Sequence, residues 1–139
     1  MLNYNQSLPD QTLLQDLQMK EIKPIMKLII RGKKREFISA VGKSLNILLP
    51  TEANTSTQSD KSTALWLSPD EWMIFSNEPV DEETNNYETE ELLNKNVSKL
   101  NLGAITDVTD QFVMINLKGS KIYELFQTGS PFNFNDFQN

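Results

Sequence analysis

The 139-residue sequence contains no cysteine and no histidine. The first absence excludes disulfides, thiolate-bound zinc, iron-sulfur clusters and a cysteine nucleophile from this chain, and it favours a reducing compartment. The second removes the usual general base at neutral pH and the commonest transition-metal ligand, so Ser-His-Asp chemistry cannot be assembled within it. Glycine is sparse: Gly32, Gly42, Gly103, Gly119 and Gly129 are scattered, with no Gly-x-Gly-x-x-Gly run and no Walker A loop, so no nucleotide signature is present. Positive charge is also in short supply. The 13 Lys and Arg against 19 Asp and Glu leave a formal net charge of -6, with a pI near 4.6. That balance disfavours long-range attraction to nucleic acid or an anionic membrane and favours a basic partner. Long apolar runs are missing, and the opening Met-Leu-Asn-Tyr-Asn-Gln-Ser has no basic region, so the expectation is a soluble cytoplasmic protein with neither signal peptide nor membrane span.

What is present fits one domain large enough to bury a core without staples. Residues 1–24 are largely polar and read as an N-terminal arm, with Leu13, Leu14 and Leu17 spaced as in a short amphipathic helix; residues 25–139 read as a single α+β domain. The branched run Ile25 to Ile30 predicts an interior strand. Phe37, Ile38, Val41 and Leu45 recur at helical spacing, with Lys34, Arg35, Ser39 and Lys43 opposite them. Thr51 to Thr63 has little to bury and reads as an exposed loop. The stretch Ala64 to Phe75 carries both tryptophans on two apolar arms around Ser68-Pro69-Asp70, which predicts a hairpin: Pro69 presets the turn angle, and Ser68 and Asp70 can bond back to nearby amides.

An acidic linker with Glu78, Asp81, Glu82 and Glu83 reads as solvated loop rather than a metal site. Tyr87 to Leu100 predicts a helix burying Leu92, Leu93, Val97 and Leu100, with acids at its start and lysines at its end matching the dipole. Ala104 to Thr109 and Phe112 to Leu117 predict two strands joined near Asp110 and Gln111. A last helix, capped by Gly119-Ser120 and stopped by Gly129, buries Ile122, Tyr123, Leu125 and Phe126. This order suits helices laid on one face of a mainly antiparallel sheet.

Each candidate functional group has a plainer structural use. Trp66 and Trp72 could stack on a flat heterocycle, although tryptophans in a hairpin more often serve a core or an interface. Arg31, with Lys33, Lys34 and Arg35, could meet an anionic group near a helix start, or simply form a solvated face or a subunit contact. Asp107 and Asp110 lack an evident third ligand and read as turn and hydrogen-bonding residues. No catalytic residue and no metal ligand is identified.

With those residues in view, the chain resembles the gamma subunit of heterotetrameric sarcosine oxidase. The resemblance rests on ordered blocks: Arg31-Gly32; Phe37 to Leu45; Leu49-Pro50-Thr51 with Asn54-Thr55; Ala64 to Phe75; Thr106 to Asp110; and Leu117-Lys118-Gly119-Ser120 leading to Gly129-Ser130-Pro131. Its most specific part is Leu65 to Trp72, where the family reads Trp-Leu-Gly-Pro-Asp-Glu-Trp and Ser68 replaces the glycine. The resemblance implies a fold like the folate-binding domain of glycine-cleavage T protein. It also implies a complex that demethylates sarcosine to glycine, transfers the one-carbon unit to tetrahydrofolate and reduces oxygen to peroxide. FAD, FMN, NAD and tetrahydrofolate then belong to the larger subunits, and the expected partners are the alpha, beta and delta subunits, chiefly alpha. This chain's implied role is non-catalytic assembly, with Trp66, Pro69, Trp72, Phe132 and Phe134 as interface candidates. The alternative is a small folate-binding module using Trp66, Trp72 and Arg31. The family pattern continues beyond the position of Pro131 with another strand and helix region, so the tail aromatics Phe132, Phe134 and Phe137 are expected to fold back or to sit in an interface.

Overall fold

A computed structural model of the chain describes residues 6–8, 12–14, 16–76, 78 and 86–134. The chain gathers into two compact units, one formed by residues 24–112 and the other by residues 1–23 together with 113–139.

In the larger unit, the branched run becomes β3 (Met26–Arg31), and the following helix is α1 (Arg35–Leu45). A short strand β4 (Ser56–Gln58) precedes the tryptophan hairpin, β5 (Ser62–Ser68) and β6 (Glu71–Ser76). Helix α2 (Glu88–Asn96), a 3-10 turn at Ser98–Leu100 and strand β7 (Ala104–Asp107) complete it. The five strands form one antiparallel sheet in the order β4-β5-β6-β3-β7.

The alternation of β3 and β6 aims Met26, Leu28 and Ile30 with Trp72 and Ile74 inward, where Phe37, Val41 and Leu45 of α1, Leu93 of α2 and Val97 just after it meet them. In register, Leu28 faces Ile74 and Ile30 faces Trp72, so each rung of the ladder is also a packing pair. Helices on one side of an antiparallel sheet are the arrangement that the order of elements implied.

The smaller unit holds β1 (Thr12–Leu14), β2 (Leu17–Ile22), β8 (Met114–Lys118) and α3 (Ile122–Gly129). Its antiparallel sheet runs β1-β2-β8. Glu21 is buried there and accepts the backbone N–H groups of Ser7 and Leu8 at 2.8 and 2.9 Å. Gly119 follows β8 at φ 134°, and a Cβ at that position would lie 2.1 Å from the Asp16 carbonyl oxygen, so glycine is required.

Several expectations are corrected. Residues 12–14 and 17–22 are strands rather than the short helix that the leucine spacing suggested; in β2 the buried residues are Leu17 and Glu21, four apart on one face, a pattern legible only once a glutamate is counted as an inward residue. Strand β4 lies inside the stretch read as loop. The two strands after Gly103 do not form a hairpin: β7 pairs with β3, whereas β8 pairs with β2. Between them the Val108 N–H bonds the Lys27 carbonyl at 2.9 Å, which prolongs the β3 edge, and a 3-10 turn follows at Thr109–Gln111. Leu92 and Leu100 are exposed rather than buried, since α2 stops at Asn96 and the chain changes course. No residue of α3 is fully buried, and Leu125 and Phe126 are exposed. Asp81, Glu82, Glu83 and Phe137 lie outside the described residues.

Candidate functional site

The hairpin that carries the most specific sequence block turns through Pro69 and Asp70, with Ser68 opposite Glu71. The Ser68 hydroxyl donates to Asp70 Oδ1 at 3.0 Å, the Asp70 carboxyl also meets its own backbone amide, and the Asp70 carbonyl accepts the Gly32 N–H at 2.9 Å. Arg31 Nε and Lys33 Nζ lie 3.8 and 3.7 Å from Asp70 Oδ2. The Ser68 hydrogen bond, with help from Lys33 and Arg31, holds the Asp70 carboxyl below its ordinary range despite some opposing desolvation. Arg31 lies beside the turn carboxylate with its side chain 64% exposed, a surface ion pair of small energetic weight.

A bulge between Trp66 and Ser68 breaks the register, leaving Leu67 and Pro69 exposed at the tip. Trp66 and Trp72 face each other across the ladder but differ in environment. Trp66 is half-buried, whereas Trp72 is 2% exposed, and its Nε1–H donates to the Pro50 carbonyl at 2.7 Å. Trp72 is therefore a core residue, which corrects its placement among surface candidates. With one indole enclosed, only the half-buried Trp66 of the pair reaches the surface.

Of the tail aromatics, Phe134 folds back on α3 and stacks on Phe126 with ring centroids 5.0 Å apart. Phe132 meets the edge of Phe134 at 5.3 Å while remaining 47% exposed. Of the two outcomes expected for the tail, the fold-back is seen for Phe134.

A polar cluster beneath the start of α2 was not foreseen. Lys27 is 3% exposed; its Nζ donates to the carbonyls of Ile25 and Thr109 at 3.1 and 3.3 Å, and its backbone N–H donates to Thr109 Oγ1 at 3.1 Å. Burial lowers the Lys27 pKa, against the opposing pull of Asp110 and Asp107. The Thr109 N–H donates to Asp107 Oδ1 at 2.8 Å, the turn role read for that aspartate. Burial also raises the Tyr87 pKa, helped by Asp107, Asp110 and Glu78 and opposed by a hydrogen bond with Thr109. Glu78 accepts the Thr89 N–H at 3.0 Å and the Thr89 hydroxyl at 2.7 Å, so it caps α2 instead of being solvated. Among the described residues no three Asp or Glu side chains converge on a metal position. The cluster joins β3, α2 and the chain after β7. Every pairing in it has a structural use.

No described helix is long and apolar enough to cross a membrane. No curated protein matches the chain. A solved chain of the heterotetrameric sarcosine oxidase from Corynebacterium sp. U-96, in complex with pyrrole 2-carboxylate, is similar in fold with a TM-score of 0.74 at 17% identity. The match covers 85% of this chain and 57% of that one, so this chain spans little more than half the length of its structural relative. The model of the sarcosine oxidase, gamma subunit family matches residues 31–137, which include the hairpin and α1 to α3. The chain belongs to the sarcosine oxidase gamma subunit family.

Proposed function

We propose that this chain is a non-catalytic assembly subunit of a heterotetrameric sarcosine oxidase, acting in the cytoplasm. The observation that carries the reading is the family match across residues 31–137. Its own residues agree with that role. The chain has no histidine or cysteine, and the paired carboxylates, the buried lysine and the enclosed tryptophan all serve turns, caps and packing. In the proposed complex, oxidative demethylation of sarcosine to glycine and capture of the one-carbon unit by tetrahydrofolate take place on the alpha, beta and delta subunits. FAD, FMN, NAD and tetrahydrofolate reside on those subunits too. The surfaces offered to them, chiefly to alpha, are the exposed hairpin tip at Leu67 and Pro69, the half-buried Trp66, and the outward ring of Phe132 beside Phe134.

Co-expression with the larger subunits followed by size-exclusion chromatography tests the proposal. The expected result is co-elution in one stoichiometric peak, and persistent elution of this chain alone overturns it. The alternative of a folate-binding module is tested by titrating tetrahydrofolate against the fluorescence of Trp66 and Trp72. Saturable quenching in the isolated chain favours that module, and a flat response favours assembly.

A further inference from the structure

One face of the smaller sheet gathers four donor side chains that the fold does not use. Side chains alternate along a strand, so Gln18 and Lys20 of β2 share a face, and the register sets Gln18 opposite Lys118 and Lys20 opposite Asn116 of β8. These four residues line a cavity of about 280 Å³. The two rungs make a rectangle, with the lysines on one diagonal and the carboxamides on the other. Diagonal neighbours on a ladder stand about 7–8 Å apart, within reach of long side chains. Both ammonium groups and both amide NH2 groups can therefore converge on one point above the sheet.

The unit supplies no counter-charge for the two lysines. Among the described residues, no side-chain hydrogen bond or ion pair engages Gln18, Lys20, Asn116 or Lys118. The carboxylates described in this unit are Asp16, Glu21 and Glu124, and each is placed elsewhere. Glu21 belongs to the opposite face of β2, where it accepts the Ser7 and Leu8 N–H groups. Glu124 pairs with Lys121, and Asp16, in the turn before β2, lends its charge to the same lysine. Two ammonium groups on one diagonal repel each other, and an anion held between them replaces that repulsion with two attractions.

The backbone beneath the four groups is already set. Five consecutive residues of β2 are in register with β8, and past the end of β8 the Lys121 N–H donates to the Asp16 carbonyl at 3.3 Å. Only the lining side chains are left to order when a ligand enters. The donor set also selects the ligand. It contains no arginine, so it lacks the planar fork that matches a carboxylate, whereas lysines act as point charges and a phosphate accepts hydrogen bonds from several directions. An amino-acid zwitterion fits poorly, because no lining carboxylate meets its ammonium group. The cavity is also too small for a stretch of polypeptide, and two lysines on a chain of formal net charge -6 make a poor membrane surface.

We infer that the cavity formed by Gln18 and Lys20 of β2 with Asn116 and Lys118 of β8 binds a phosphate group, held by the two ammonium groups across one diagonal and by the two carboxamides across the other. The site lies wholly within the smaller unit and stands independently of the assembly reading.

The test titrates the full chain with sodium phosphate and follows proton–carbon correlation NMR signals of the lysine, glutamine and asparagine side chains. It is run at about pH 7.5, where phosphate is largely dianionic, against sodium chloride of matched ionic strength. The expected result is saturable shifts confined to Gln18, Lys20, Asn116 and Lys118, with a Kd of about 1 mM or tighter. Lys20→Gln and Lys118→Gln, both at exposed positions, should each weaken binding about tenfold. Lys23→Gln removes the same charge just beyond β2, outside the lining, and should leave binding unchanged. Parallel titrations with adenosine monophosphate and malonate define the ligand. Tighter binding of adenosine monophosphate than of inorganic phosphate names the phosphate of a larger molecule as the source, and equal or weaker binding names free phosphate. Malonate binding as tightly as phosphate overturns the assignment. So do shifts that grow without saturating, shifts spread over all the lysines, or an equal loss on Lys23→Gln.

Discussion

At the scale of single residues, the two tryptophans separate a structural role from an available surface. Trp72 fills the space between the sheet and α1 and ties its indole to Pro50, so Trp72→Phe loses both volume and a buried hydrogen bond. The expected cost is about 1–3 kcal/mol in urea unfolding, while Trp66→Phe at the half-buried position should cost less than about 1 kcal/mol. Lys27 makes a different kind of prediction. Burial lowers its folded pKa below the unfolded value, so the native state binds fewer protons in the alkaline window between the two. Stability therefore rises with pH across that window, and Lys27→Met should abolish this rise, as read from denaturation midpoints measured from neutral pH to about pH 10. A decline with pH in the wild-type chain that Lys27→Met removes would contradict the assignment. The environment of Trp72 was among the readings the sequence offered, whereas that of Lys27 was not. Leu28, Ile30 and Trp72 advertise a core by type, but nothing in Ile-Met-Lys-Leu-Ile-Ile says that the lysine in the middle has two backbone carbonyls waiting for it 3.1 and 3.3 Å away.

At the scale of elements, those with a strong period were readable. Helix α1 repeats its apolar residues every three to four positions, and the hairpin has a proline turn between two arms, so both stand close to where the sequence places them. Elements that depend on distant partners were not. Strands β7 and β8 look like consecutive arms of a hairpin, yet each finds its ladder with a strand far away in sequence. The same holds for the start of α2, where no neighbouring side chain caps the helix and the carboxylate comes from Glu78, 11 residues before Thr89. Glu78→Ala should cost about 1 kcal/mol, as the loss of a cap does. Because Glu78 binds both the amide and the hydroxyl of Thr89, the variants Glu78→Ala and Thr89→Val share an interaction and should be non-additive in a double-mutant cycle. Helicity followed by circular dichroism alongside stability checks that the loss is in α2. Additive costs would mean that the two groups act independently.

At the scale of the whole molecule, the two units differ in how much each buries. The larger one encloses a continuous core from Met26 to Val97 beneath two helices, and it holds the tryptophan hairpin, which lies within the family match. Among the described residues of the smaller one, α3 buries none completely, Ile115, Leu125, Phe126 and Phe132 stay exposed, and few side chains are enclosed. Local opening free energy follows buried apolar contact, so hydrogen exchange in the isolated chain should be slowest for the amides of β3 and β6 and markedly faster for β2, β8 and α3. Binding adds a second expectation. A partner that covers the aromatic edge of Phe126, Phe132 and Phe134 removes apolar surface from water and raises the opening cost of the element beneath it. Exchange in α3 should then slow by about tenfold or more in the co-expressed complex, while β3 and β6, already near the global limit, change little. Uniform protection across both units before binding would show the smaller unit to be self-sufficient. If exchange in α3 stayed fast inside the complex, the tail aromatics would lose their place in the proposed interface, and contact would have to be sought at the hairpin tip.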